Sequence, residues 1–166
     1  MKKYILNFKV VENRHLHELY SLLILSPIDG MLPEVLPGQF VQIAVDNSKT
    51  TFLRRPISIN YIDRKNGTLW LLIRKAGDGT KAITEKKAGD TINMVLPLGN
   101  SFNAPEEATQ VLLIGGGVGV APLLYLGEVL KKDGYVPHFL IGARSYKDVL
   151  ELDEFNNIGQ VHVSTE

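Results

Sequence analysis

Through the first hundred residues, apolar and polar positions alternate in short runs separated by turn residues. Residues 4–11 alternate loosely up to Glu12-Asn13, which predicts a strand. Residues 15–25 have a helix-compatible composition, but Leu16, Leu19, Leu22, Leu23 and Leu25 follow neither the helical nor the strand period. The stop at Pro27 and Asp29-Gly30 favours a strand over residues 19–26. Residues 40–45 are β-rich and follow the turn signal Pro37-Gly38. Residues 55–63 and 69–74 read as a hairpin turning through Arg64-Lys65-Asn66-Gly67, where Asn-Gly supplies the positive-φ turn. Residues 91–96 form a further strand after Ala88-Gly89-Asp90, and residues 79–87 are a short helical candidate. Six short strands with one short helix predict a six-stranded antiparallel β-barrel over residues 1–100.

The pattern changes after residue 100. Asn103-Ala104-Pro105-Glu106-Glu107 is a polar linker, and residues 110–114 are apolar without alternation, as in a parallel strand buried on both faces. Glycines follow, then a helical stretch over 122–132, a strand over 137–142, a helix over 149–156 capped by Ser145-Tyr146-Lys147-Asp148, and a strand over 160–163. The β-α-β-α-β order predicts a parallel α/β domain over residues 101–166. Three strands are few for such a sheet, so it is expected to be the partial, truncated beginning of a larger one.

Composition narrows the chemistry. The chain is 45% hydrophobic and 22% charged, ordinary for a globular protein, and its formal net charge is zero. No global field draws it to nucleic acid or to anionic lipid, and no apolar run approaches membrane-spanning length. The N-terminus lacks the apolar core of a signal peptide, which makes the cytoplasm the expected location. There is no cysteine, so disulfides, thiol nucleophiles, thiolate metal sites and cysteine-ligated iron–sulfur clusters are excluded within these 166 residues. The scattered His15, His17, His138 and His162 give no metal-binding spacing, and no hydrolytic Ser/His/Asp set is supported.

Two motifs carry the candidate function. Gly115-Gly116-Gly117-Val118-Gly119 sits where a strand meets a helix, so backbone N–H groups can approach a pyrophosphate. It departs from the G-x-G-x-x-G dinucleotide pattern, and Pro122 fits the first turn of the following helix. No ribose-binding acid ends the second strand, where Gly142-Ala143-Arg144-Ser145 stands instead. Earlier, Arg54-Arg55-Pro56-Ile57-Ser58-Ile59 offers a guanidinium suited to bidentate phosphate contact and a hydroxyl suited to the polar edge of a flavin. Pro56 lacks an N–H and calls for a free strand edge. Taken alone, this strand reads rather as a surface edge strand with two solvated arginines. Gly77-Asp78-Gly79-Thr80 opens a second anion-receptive helix start, and Leu72-Ile73-Arg74 lies on the neighbouring strand.

These residues resemble the ferredoxin–NADP reductase superfamily, whose members join a flavin-binding barrel to a nicotinamide-binding α/β domain. Within it, Arg54–Ile59, Lys75-Ala76-Gly77-Asp78-Gly79-Thr80 and Leu96-Pro97-Leu98-Gly99-Asn100 are similar in order and spacing to the electron-transfer subunits of NAD-linked (class 1B) dihydroorotate dehydrogenases. The resemblance implies FAD contacts at Arg55, Pro56, Ile57, Ser58, Leu72, Ile73, Arg74, Gly79 and Thr80. It implies NAD contacts at Gly115, Gly116, Gly117 and Gly119. It further implies electron transfer through a [2Fe–2S] cluster to an FMN-containing dihydroorotate dehydrogenase catalytic subunit in a heterotetramer, serving orotate formation in pyrimidine synthesis. The absent cysteines depart from that pattern, as does Ile57 where the superfamily often has Tyr. The rival readings are a free-standing ferredoxin or flavin reductase and a non-catalytic nucleotide-binding module. Bound flavin separates both enzymes from the module.

Overall fold

A computed structural model of the chain describes residues 2–46, 50–106 and 109–166. The N-terminal half is one antiparallel sheet of seven strands: β1 (Tyr4–His17), β2 (Tyr20–Pro27), β3 (Phe40–Ile43), β4 (Arg55–Ser58), β5 (Tyr61–Asp63), β6 (Thr68–Arg74) and β7 (Thr91–Leu98). Helix α1 (Asp78–Thr84) lies between β6 and β7. The strand order is β4-β3-β7-β1-β2-β6-β5.

That order forces the sheet to curl. The edge strands β4 and β5 are joined through Ile59 and Asn60 alone. Laid flat, six interstrand gaps would hold the edges roughly 29 Å apart. The three Cα steps from Ser58 to Tyr61 reach about 11 Å at most. The edges must therefore meet, and two backbone bonds mark the seam: Ile59 N–H to the Gln39 carbonyl and Asn60 N–H to the Trp70 carbonyl, each at 3.0 Å. The six strands expected from the sequence become seven, because residues 55–63 are not one strand but two strands at opposite edges.

The first strand is also longer than its alternation suggests. It continues past Glu12-Asn13 to His17, with register shifts between Val10 and Glu12 and between His15 and His17 that break the two-residue period. In β2, Ser21 to Leu25 are all buried. Leu23 and Leu25 face the barrel core with Phe8, Leu71 and Ile73, while Leu22 and Leu72 face outward beneath the second unit. Covering both faces removes the alternation over residues 21–25, while Leu16 and Leu19 stay exposed.

The second unit is a three-stranded parallel sheet in the order β10-β9-β8: β8 (Gln110–Gly116), β9 (Val136–Ala143) and β10 (Gln160–Thr165). Helix α2 (Ala121–Lys132) follows β8, and α3 (Leu152–Ile158) follows β9. The helix expected over 149–156 thus starts later, after a separate 3-10 turn at Tyr146–Asp148. Both helices pack on one face, over Leu113, Phe139 and Ile141. The opposite face is open among the described residues, with Leu112 57% and Ile114 64% exposed. The expectation that β8 is buried on both faces is therefore corrected.

Gly127 sets the approach of α2 to the sheet, since a Cβ there would collide with the Phe139 ring. Gly127→Ala should cost about 1–3 kcal/mol through overpacking. Urea denaturation should show a lowered midpoint with an unchanged slope.

Candidate functional site

Strand β4 pairs only with β3, so Pro56 occupies an edge strand, where its missing N–H leaves no ladder bond unmade. The two arginines preceding it take different paths. Arg54 turns into the sheet, donating to the Gln42 and Asn93 carbonyls at 3.2 Å and to Asn93 Oδ1 at 2.6 Å. It is a structural clamp between β3 and β7. Arg55 instead lies over the first turn of α1: a Cβ on Gly79 would come within 2.9 Å of Arg55 Cδ. Its Nε donates to the Arg54 carbonyl at 3.1 Å, and its guanidinium has no ion-pair partner among the described residues. Arg55 and Gly79, noticed separately in the sequence, are stacked in the fold. Ile57 pairs with Val41 and Ser58 with Phe40 along the same edge.

The start of α1 is fastened by Thr80. Its hydroxyl accepts from the N–H groups of Ala76 and Gly77 at 2.9 and 3.1 Å and donates to the Gly77 carbonyl at 3.0 Å. The Thr80 hydroxyl proton is therefore committed to the backbone. On β6, Leu72 and Ile73 are buried, so these two offer backbone only, while Arg74 is exposed.

The glycine run divides into two kinds. Gly115 is demanded by packing, since a Cβ would come within 2.8 Å of Leu123 Cδ1. Gly117 is demanded by its backbone, at φ +52°. Gly116 and Gly119 have room for a side chain. The run opens into a 3-10 turn at Gly117–Val120 before α2, with Pro122 in the helix's first turn. Between this loop and the barrel lies a cavity of about 750 Å³. It is walled by the ends of β9 and β10 at Gly142, Ala143, Ser164 and Thr165, by Gly117 just past the end of β8, and by Tyr20 and Arg74 from the barrel. A crevice outside the carboxyl ends of parallel strands is the usual ligand position in open α/β sheets. Arg144 and Lys147 add positive charge to its wall.

Polar contacts cross from the barrel to the α/β unit at the cavity edge and deeper, at the seam. His17 Nε2 lies 3.3 Å from Asp148 at the cavity edge. The Ser145 hydroxyl, 2.6 Å away, holds Asp148 below the ordinary carboxylate range, and His17 adds to this. Deeper, the seam residue Asn60 donates to the Ala121 carbonyl at 3.1 Å and to Glu151 Oε2 at 2.9 Å, and its own carbonyl accepts from Tyr125 N–H at 3.1 Å. Sequence reasoning missed both Asn60 and Glu151. Glu151 stands in the run Glu151-Leu152-Asp153-Glu154, which reads as a solvated helix start. No group of three or more His, Cys, Asp or Glu suited to a metal exists among the described residues, and no described helix is long and apolar enough to cross a membrane.

Over 132 residues the chain is 39% identical to the electron transfer subunit of dihydroorotate dehydrogenase B (NAD(+)) from Bacillus caldolyticus, covering 78% of this chain and 51% of that protein. The same figures hold for the corresponding subunit of Fusobacterium nucleatum. The chain is similar to these electron transfer subunits over most of its own length. It spans about half the length of the curated relatives it matches. No family model matches it. Solved structures agree on the fold. An NADH-dependent reduced ferredoxin-NADP oxidoreductase, described for flavin-based electron bifurcation, is 28% identical with a TM-score of 0.80, over 94% of this chain and 55% of that one. The flavohem-like FAD/NAD binding domain of nitric oxide dioxygenase from Vibrio cholerae is 22% identical with a TM-score of 0.81, over 97% and 74%. The architecture is that of the ferredoxin reductases: a curled antiparallel sheet followed by a parallel sheet with helices.

The Thr80 contacts give a stability prediction. Thr80→Val should lose about 1 kcal/mol, as for loss of a helix-start hydrogen bond. Chemical denaturation is the measurement.

Proposed function

We propose that residues 1–100 hold FAD and residues 101–166 hold the pyrophosphate and part of the nicotinamide half of NAD, so that the chain passes electrons between the two. The observation that carries this reading is the cavity between Arg74 and the carboxyl ends of β8, β9 and β10, bordered by the glycine loop. The residues present fit both groups. Gly79 leaves room that Arg55 crosses, Pro56 leaves an edge without a donor, and Gly116 and Gly119 leave backbone uncovered.

When bound, the flavin supplies hydride and single-electron chemistry, and the nicotinamide supplies or takes the hydride. The chain's part is positioning and charge. Arg55 pairs with the FAD pyrophosphate through its free guanidinium face. Ser58 hydrogen-bonds the polar edge of the ring, and Ile57 packs on it. Leu72 and Ile73 contribute backbone, and Arg74 contributes its side chain facing the cavity. Gly79 lets the FAD phosphates approach the start of α1, which Thr80 holds in shape. Gly115 and Gly117 shape the second loop, while Gly116 and Gly119 admit the NAD pyrophosphate to the first turn of α2.

A [2Fe–2S] cluster does not fit these 166 residues, which hold no cysteine to ligate it. The family's names support a partner: electrons would pass to or from a dihydroorotate dehydrogenase catalytic subunit carrying FMN, in the cytoplasm, for orotate formation. Co-purification with that subunit separates this reading from a free-standing reductase.

The test is the visible spectrum of the chain after FAD is added and excess removed. Retained flavin bands are expected, and their absence sinks the reading. Arg55→Ala should weaken FAD retention by tenfold or more, about 1.4 kcal/mol for each factor of ten. Ser58→Ala should slow flavin reduction by NADH more than it weakens FAD binding. Unchanged reduction kinetics with tight FAD would remove Ser58 from that role.

A further inference from the structure

Asn60 and Glu151 are buried polar side chains, 0% and 7% exposed, at the contact between the barrel seam and the α/β unit. Asn60 Nδ2 donates both hydrogens, one to the Ala121 carbonyl and one to Glu151 Oε2. That fixes the orientation of the amide, because turning it over would set its oxygen against two acceptors. One oxygen remains on each side chain, Asn60 Oδ1 and Glu151 Oε1, buried and without a partner. Two acceptors cannot satisfy one another, but a single proton between them satisfies both. Glu151 also holds a left-handed backbone at φ 55° and ψ 34°, the one non-glycine residue with positive φ among those described. Such a conformation persists where the surroundings over-determine it.

We propose that Glu151 is a neutral carboxylic acid in a two-point pair with the Asn60 amide, Oε1–H donating to Oδ1 and Nδ2–H donating to Oε2, and that this pair positions the glycine loop against β4. Asn60 lies two residues after Ser58, and Ala121, whose carbonyl it holds, directly follows the 3-10 turn of the glycine loop. The pair thus joins the two candidate cofactor elements through a short path. Its effect on electron transfer rests on the proposed function; the pairing itself does not.

The surroundings favour the neutral acid. Leu150, Phe155 and Ile158 are buried on the segment that carries Glu151. The ionisable groups on neighbouring elements include Asp153 and Glu154 on α3, Tyr125, Glu128, Lys131 and Lys132 on α2, Tyr61 and Asp63 on β5, and Arg14 on β1. Lys132 is paired with Glu128 at 2.8 Å and Arg14 with Glu12 at 2.7 Å. The charge that acts on Glu151 is the like charge of Glu154. Burial pushes the carboxyl from 4.5 to about 8, against the lowering effect of the Asn60 hydrogen bond. Because the folded value is raised, the pair's contribution is complete below about pH 4.5 and is lost as pH rises through about 8.

Infrared difference spectra of the whole 166-residue chain against Glu151→Gln read the protonation directly. A carboxylic acid C=O band near neutral pH, fading as pH passes about 8, is expected. A carboxylate band at neutral pH overturns the inference. Glu151→Gln keeps both hydrogen bonds, with Nε2–H in place of Oε1–H. It should melt no lower than the wild type at neutral pH and lose the decline in stability between about pH 4.5 and 8. Glu151→Leu removes both bonds and should melt lower throughout. A Gln variant as unstable as the Leu variant overturns the pairing. In FAD-loaded chain, the rate of flavin reduction by NADH should fall above about pH 8 in the wild type and not in Glu151→Gln. An equal fall in both removes the positioning role. The infrared and melting readouts need no flavin, so failure of the cofactor reading and failure of this one are separate results.

Discussion

Two residues, Ile59 and Asn60, join opposite edges of a seven-stranded sheet, and the rest of the structure follows from that short link. The sheet has to curl for the chain to pass from β4 to β5. Curling gathers Phe8, Val41, Leu71 and Ile73 into an interior and leaves Leu22 and Leu72 facing out. That outer patch is what the parallel unit covers. The seam is also where the units meet, because Asn60 turns its amide toward Ala121 and Glu151 and offers its carbonyl to Tyr125. The Tyr125 hydroxyl extends the contact by donating to the Val35 carbonyl at 3.1 Å.

Order along the chain was legible in the sequence; arrangement was only partly so. Turn residues placed nearly every strand start, and the change from alternation to continuous apolar runs marked where the parallel unit begins. Alternation failed as a guide wherever burial was not one-sided. Residues 21 to 25 lost it because both faces are covered. Strand β8 carries an apolar run although Leu112 and Ile114 are exposed among the described residues. The split of residues 55–63 into two edge strands leaves no local trace, because it is a property of where the strands pair and not of what they contain.

The candidate site was legible as motifs and illegible as roles. Arg54 and Arg55 look equivalent in sequence, yet one is a half-buried clamp on Asn93 and the other lies over Gly79 with its guanidinium unpaired by acids. Thr80 looks like a free hydroxyl and is fully used by its own turn. Among the glycines, packing against Leu123 accounts for Gly115 and positive φ for Gly117, while neither accounts for Gly116 or Gly119. The residual glycines are the part of the motif that architecture alone does not require, and they stand beside the cavity mouth at Gly117.

A net charge of zero makes the placement of individual charges decisive. Arg74, Arg144 and Lys147 line one cavity while Glu18, Asp148 and Glu166 share its wall. Asp148 is engaged by Ser145 and His17, which reduces its opposition to an anion there. Exposed charges of this kind are worth little for stability and much for ligand recognition. The buried pair at Asn60 and Glu151 is the converse case. Burying polar groups costs free energy unless each finds a partner, and a carboxylate would leave two oxygens unsatisfied where an acid leaves none. An apolar contact could hold the same surfaces together but would tolerate sliding, whereas a two-point hydrogen-bonded pair admits one register. For a protein whose proposed work depends on the separation of two bound rings, fixing that register at the seam is a physical reason for placing an acid where burial disfavours its charge.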